Sequence, residues 1–121
     1  MSKVIVVDDD QTMVSLLQTL LELDGYQVVK AGSASAVFDL LESESPDLVL
    51  LDVFLKDDEG LDILSGIRSH SNTSIAQLPV VMTSGMELST QCRQAGADDF
   101  LLKPYDPEHL LDIIKTNLKG A

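Results

Sequence analysis

Apolar residues in this chain follow two rhythms that alternate from one end to the other. Short unbroken apolar runs bounded by turn-forming residues read as strands buried on both faces, while apolar residues spaced three and four apart read as amphipathic helices. The first run, Lys3 to Val7 (KVIVV), gives way to a helical pattern over Gln11 to Leu23, with Met13, Leu16, Leu17, Leu20 and Leu21 as its stripe. Asp9 or Asp10 can cap the first turn of that helix, and Gly25 stands just past its end, where a left-handed residue is wanted. Gln27 to Ala31 (QVVKA) is a more polar strand suited to a sheet edge. Gly32-Ser33 opens a second helix with Val37, Phe38, Leu40 and Leu41 as its stripe, and Ser43 to Pro46 breaks it.

The run that follows, Leu48 to Leu51, is opened by Pro46-Asp47 and stops on the carboxylate of Asp52. Lys56 to Gly60 (KDDEG) is rich in turn formers, and a third helix carries Leu61, Leu64 and Ile67 inward. Ser69 to Gln77 is polar and reads as a loop. Pro79 to Thr83 (PVVMT) is a fourth strand with its proline at the first position, where one is tolerated. A thin stripe (Met86, Leu88, Cys92, Ala95) predicts a fourth helix over Met86 to Ala95, ended by Gly96. Asp99 to Leu102 (DFLL) is a fifth strand, and Pro107 starts a last helix with Leu110, Leu111, Ile113, Ile114 and Leu118 apolar. Strand and helix alternate five times, which predicts an α/β fold: a doubly wound parallel sheet covered by helices on both faces. Strand order is not legible in the pattern.

With 121 residues the chain is one ordinary domain, 1–121, large enough to bury a core without staples. One cysteine, Cys92, excludes an internal disulfide, and its expected place is as small filler on a helix. The formal net charge of −12 opposes binding to phosphate backbones, so no nucleic-acid partner is expected. There is no apolar run of membrane-spanning length and no signal-like opening segment, so a cytoplasmic protein without a membrane partner is expected. His70 and His109 fall on polar helix faces without ligand spacing and are assigned no role.

The chemistry lies in how the strands end. In a parallel sheet these ends share one edge, where ligands gather. Here they bring Asp8-Asp9, Asp52, Thr83-Ser84 and Lys103 to that edge. Singly, each has a dull reading: a helix cap, a turn residue, a strand residue, a solvated cation. Jointly, three repelling carboxylates call for a hard cation such as Mg²⁺, which favours carboxylate and phosphate oxygens. An ionised Asp52 is a nucleophile competent to form an aspartyl-phosphate, with Thr83 and Lys103 placed to stabilise the transferring group.

These residues resemble the receiver domain of two-component response regulators, over essentially the whole chain. The family's acidic pair matches Asp8 and Asp9, its phospho-accepting aspartate Asp52, and its glycine eight residues on Gly60. Its hydroxyl residue matches Thr83, its aromatic Phe100, and its Lys-Pro Lys103-Pro104. The resemblance implies a flavodoxin-like (βα)5 fold of five strands and five helices. It implies Mg²⁺ held by the Asp9 and Asp52 carboxylates and the backbone carbonyl of Phe54, with Asp8 acting through water. It implies a cis bond before Pro104 and a switch in which Thr83 moves toward the phosphoryl group and Phe100 fills the space vacated. The phosphoryl donor would be a histidine kinase or a histidine phosphotransfer protein. The signal would pass to a downstream protein partner or an output domain of its own, with phosphorylation-dependent homodimers as a further expectation. Such a protein is no turnover enzyme; it promotes only its own phosphorylation and dephosphorylation.

Departures from the family pattern also carry information. Met-Pro often follows the phospho-accepting site, whereas Leu55-Lys56 stands here and adds a cation. The stretch from Thr83 to Lys103 is shorter than usual, which bears on the fourth helix, and the pattern leaves no residues over for an effector domain. In the family the residues two beyond the aspartate and two beyond the hydroxyl flank in-line attack by water; here they are Phe54 and Gly85. Phe54 cannot orient a water, so a long-lived phosphorylated state is expected. Two rivals share parts of the pattern. A phosphatase of the haloacid dehalogenase type needs a second Asp where Phe54 stands, and a flavodoxin needs a Ser/Thr/Gly loop where Asp8-Asp9-Asp10 would repel phosphate. A receiver-like interaction module indifferent to phosphate would be told apart by its failure to react with acetyl phosphate and Mg²⁺.

Overall fold

In the computed structural model, which describes residues 2–119, five strands form one parallel sheet. They are β1 Lys3–Val7, β2 Gln27–Ala31, β3 Leu48–Asp52, β4 Val80–Ser84 and β5 Asp99–Leu102, side by side in the order β2-β1-β3-β4-β5. This is the flavodoxin-like order, in which the winding reverses between β1 and β3 and a crevice opens there beyond the strand ends. The polar strand β2 is an edge, as its composition suggests.

The helices are α1 Gln11–Leu23, α2 Ala34–Ser43, α3 Gly60–Arg68, α4 Thr73–Ala76, α5 Ser89–Gln94 and α6 Pro107–Lys119. Asp10, not Asp9, caps α1, its carboxylate accepting from the Thr12 and Met13 N–H groups at 3.1 and 3.2 Å. Gly25 takes the left-handed conformation just past α1 (φ 94°). Because strand side chains alternate, the sheet feeds two cores. Ile5, Val7, Val49, Leu51 and Met82 pack with α2, α3 and the buried Cys92 of α5. Val4, Val6, Leu48, Leu50, Val81 and Leu101 pack with Val14, Leu17 and Leu21 of α1 and Leu110 and Ile114 of α6. Each fully buried leucine or isoleucine contributes roughly 1.5–3 kcal/mol.

Two helical expectations need correction. Five helices were expected and six are present among the described residues, because the Ser69–Gln77 stretch contains the single turn α4. Asn72 caps that turn by accepting from Ser74 N–H at 2.9 Å, and Ile75 anchors it in the core. The helix expected over Met86 to Ala95 shortens to α5. Met86 is exposed and its N–H donates to the Ser84 hydroxyl at 3.0 Å, while the Glu87 carboxylate accepts from Ser89 N–H at 2.8 Å. Those bonds hold residues 85–88 in a turn. His70 lies beyond the end of α3 rather than on a helix, its ring nitrogen accepting from Asn72 N–H. Among the described residues no helix is long and apolar enough to cross a membrane.

Candidate functional site

Strand register assembles the site. β1 and β3 pair Val7 with Leu51, so Asp8 and Asp52 follow the same rung, and β3 and β4 pair Asp52 with Thr83. Val6, Leu50, Val81 and Leu101 face α1 and α6. Two residues on, Asp8, Asp52, Thr83 and Lys103 continue that side by the period of a strand. Asp8 and Asp52 are only 5% and 8% exposed, and the Lys103 ammonium spans them, 3.3 Å from Asp8 Oδ2 and 3.2 Å from Asp52 Oδ2. The other oxygen of Asp8 accepts from Asp10 N–H at 3.0 Å, which fixes the carboxylate between helix cap and lysine. The bond between Lys103 and Pro104 is cis.

One cation serving two buried carboxylates leaves negative charge in excess. Burial is the main force raising the Asp52 pKa above its ordinary value, and the Asp8 charge adds to it. Lys103 and the Phe54 N–H pull the other way without cancelling it. For Lys103, burial lowers the pKa, but attraction to Asp52 and Asp8 outweighs it and the net shift is upward. The phenol of Tyr105 feels the same field: burial, then Asp8 and Asp52, push it up to about 12.

The third carboxylate stands apart. Asp9 is exposed, and its Oδ2 accepts from the backbone N–H of Lys56, in the loop after β3. Accordingly, among the described residues no three acidic, histidine or cysteine groups stand close enough to form a ready metal cage. The donor chemistry nonetheless fits a hard divalent cation: buried carboxylate oxygens with uncompensated charge, and a further carboxylate on a hinge of one side chain. Phe54 is 53% exposed beside the site and pairs with Glu59 across the loop. The loop's other end packs so closely that a Cβ on Gly60 would collide with the Asp52 carbonyl oxygen. Glycine is therefore a steric requirement beneath Asp52. Phe100 is 9% exposed and lies on the opposite sheet face from Thr83, in the core with Met82 and Cys92.

Two features escaped the sequence reading. Tyr105, directly after Lys103-Pro104, sits in the electrostatic field of both carboxylates. It also lines an apolar groove of about 400 Å³ with Met13, Leu16, Leu17, Leu20, Lys103, Pro104 and Pro107. The legible trace of that groove is α1 itself, which carries one charged residue, Glu22, in a strongly acidic chain.

Comparisons with known proteins agree with this architecture. The family model for the response regulator receiver domain matches residues 4–115. The chain is 38% identical over 124 aligned residues to transcriptional regulatory protein CpxR of Escherichia coli (strain K12), covering 100% of this chain and 51% of that protein. It is 32% identical to transcriptional regulatory protein KdpE of Staphylococcus aureus (strain NCTC 8325 / PS 47), covering 90% of this chain and 46% of that protein. The crystal structure of a CheY-like response regulator receiver domain protein from Methanospirillum hungatei JF-1 superposes with a TM-score of 0.87 at 30% identity, covering 99% of this chain and 95% of that one. This chain belongs to the receiver domain family of two-component response regulators. It spans about half the length of the curated relatives it matches.

Proposed function

We propose that this receiver domain is a phospho-accepting switch whose acceptor is Asp52. The observation that carries the reading is the pair of buried carboxylates sharing Lys103 at the β1/β3 crevice. A carboxylate oxygen of Asp52 attacks the phosphorus of a phosphohistidine, the new P–O bond forming as the P–N bond breaks and the imidazole leaves. Lys103 already lies against Asp52 and offsets charge on the transferring group without reorganisation. The Thr83 hydroxyl, paired with Asp52 on the neighbouring strand, donates to a phosphoryl oxygen. Mg²⁺, held by Asp9, Asp52 and the Phe54 carbonyl with Asp8 through water, would neutralise phosphoryl oxygens at the same mouth. Phe54 leaves no acid/base group where a turnover phosphatase needs one, so the domain promotes only its own phosphorylation and dephosphorylation.

The donor is a histidine kinase or a histidine phosphotransfer protein, in the cytoplasm. The groove along α1 supports this, because its largely apolar lining runs up to Lys103 and offers a seat for a helix carrying the phosphohistidine. Once phosphorylated, Thr83 is drawn toward the phosphate, and Phe100 would have to leave its packing with Met82 and Cys92 on the other sheet face to follow it, a population shift read by a downstream protein, an output domain or a second copy. The test is mass spectrometry after incubation with acetyl phosphate and Mg²⁺. One phosphoryl group should be gained by the unaltered protein and none by Asp52→Ala; phosphorylation persisting in that variant rules out Asp52 as acceptor.

A further inference from the structure

The loop between β3 and α3 is closed on itself. Phe54 pairs with Glu59, the Leu55 N–H donates to the Asp58 carbonyl at 3.2 Å, and Gly60 N–H donates to the Val53 carbonyl at 2.7 Å. Lys56 lies at the tip, and its N–H reaches back across the site to the Asp9 carboxylate. The same loop is tied to α2, since Asp58 Oδ2 accepts from Ala34 N–H at 3.0 Å. Two of the three acidic groups at the strand ends are thus held by Lys103, and the third is held by the loop. A carboxylate oxygen that accepts from an amide N–H has fewer lone pairs to offer a cation, and hydrogen bonds to an ionised acceptor are among the strong ones.

We propose that the Lys56 amide is a latch on Asp9: it competes with the divalent cation for that carboxylate, so metal binding frees the tip of the β3–α3 loop. This rests on the reading of Asp9 as a metal ligand given above. The device depends on a residue with a backbone N–H at position 56. A proline there, such as the Met-Pro pattern would supply, has no N–H and could form no latch. Metal affinity is then set by the fraction of molecules with Asp9 released, and the Asp58–Ala34 bond carries loop release toward α2.

Magnesium titration of the unaltered protein, Lys56→Ala and Lys56→Pro, followed by amide chemical shifts, tests this directly. Lys56→Ala keeps the N–H and loses the ammonium; it should bind Mg²⁺ within about twofold of the parent, whereas Lys56→Pro should bind roughly three- to tenfold tighter. Hydrogen exchange of the Lys56 amide in the unaltered protein is the second arm and does not depend on the proline variant folding. Saturating Mg²⁺ should speed that exchange about tenfold or more, as expected when a protecting hydrogen bond opens. The latch is overturned if a folded Lys56→Pro binds no tighter than Lys56→Ala, or if Mg²⁺ leaves the Lys56 amide as protected as before. Failure of the unaltered protein to bind Mg²⁺ at all would instead remove the metal site itself, and the latch with it.

Discussion

The two edges of the sheet treat charge in opposite ways. At the edge where the strands begin, the Arg68 guanidinium at the end of α3 donates to the carbonyls of Gly96, Ala76 and Leu78 at 2.9, 2.9 and 2.7 Å, and to Asp98 Oδ2 at 2.8 Å. Asp98 Oδ2 in turn also accepts from Val80 N–H at 2.8 Å, so four guanidinium N–H groups have partners and the counter-ion takes donors from two segments. Lys3 does similar service on the same edge, bonding the carbonyl and carboxylate of Glu44. At the edge where the strands end, Lys103 is divided between two buried carboxylates and leaves Asp52 with its pKa raised. A cation paired with one carboxylate and three carbonyls leaves no anionic charge in excess, while an undercompensated site gains from a cation or an electrophile. Stability is concentrated at the first edge and reactivity at the second.

Truncating Arg68 should produce the largest effect. Arg68→Ala removes the guanidinium from three carbonyls, leaves Asp98 with only the Val80 N–H and unties α3 from the segments around α4 and α5. We expect a loss of about 2–3 kcal/mol, the range for a multiply bonded charged group, read by urea denaturation. Phosphorylation by acetyl phosphate should survive in the folded fraction, since Asp52 lies at the opposite edge. A loss below roughly 0.5 kcal/mol, the scale of ordinary surface substitutions, would mean that the first edge is no clamp and would collapse the contrast.

Neutralising Asp52 should act in the opposite direction. Its folded pKa lies above its unfolded value, so its contribution to stability is complete below the unfolded pKa and lost as pH rises through the folded one. At neutral pH the ionised group is a net cost, and Asp52→Asn should stabilise the fold by about 1 kcal/mol, the size common for a single relieved charge. The difference in thermal midpoint between the two proteins should shrink as pH falls through the raised pKa, because Asp52 then becomes neutral as well. Added Mg²⁺ should narrow it too, by stabilising the parent more than the variant. A variant less stable than the parent at neutral pH would show that Lys103 compensates Asp52 in full.

What could be read in advance follows the same division between local and non-local causes. The strands and the long helices α1, α2 and α6 were legible because each carries its own apolar period, and the strand ends followed from them. The order β2-β1-β3-β4-β5 was not, since pairing joins segments far apart in the chain. α4 was missed because a single turn with one buried residue, Ile75, has no period to detect. α5 was overread because Met86 resembles a stripe residue in sequence but is exposed in the turn made by Ser84 and Glu87. At the site, residue types announced the chemistry, but the direction of Asp9 depends on a loop 47 residues away.

The smallest effect expected concerns how long a phosphoryl group stays on Asp52, and it probes how exposed the reactive edge is. Hydrolysis needs a water in line with the phosphorus, opposite the carboxylate oxygen, and Phe54 and Gly85 flank that approach by resemblance to the family. The structure weights these two flanks differently. A Cβ at Gly85 would meet no atom within 4 Å, so that side is open space that neither blocks nor positions water. Phe54 presents an apolar ring with nothing to hydrogen-bond a water, but at 53% exposed the ring is not pinned over the acceptor. A shield that leaves half its surface to solvent slows attack only in part. We therefore expect Phe54→Asn, whose amide can hold the water, to shorten the phosphorylated lifetime by only about threefold, equivalent to roughly 0.7 kcal/mol in the barrier. The measurement is loss of phosphate from purified phosphorylated protein under fixed Mg²⁺, alongside Phe54→Leu, which keeps an apolar side chain and should match the parent. If the asparagine variant loses phosphate no faster than the leucine variant, water exclusion by Phe54 does not set the lifetime, and the reactive edge is limited by the charges around Asp52 instead.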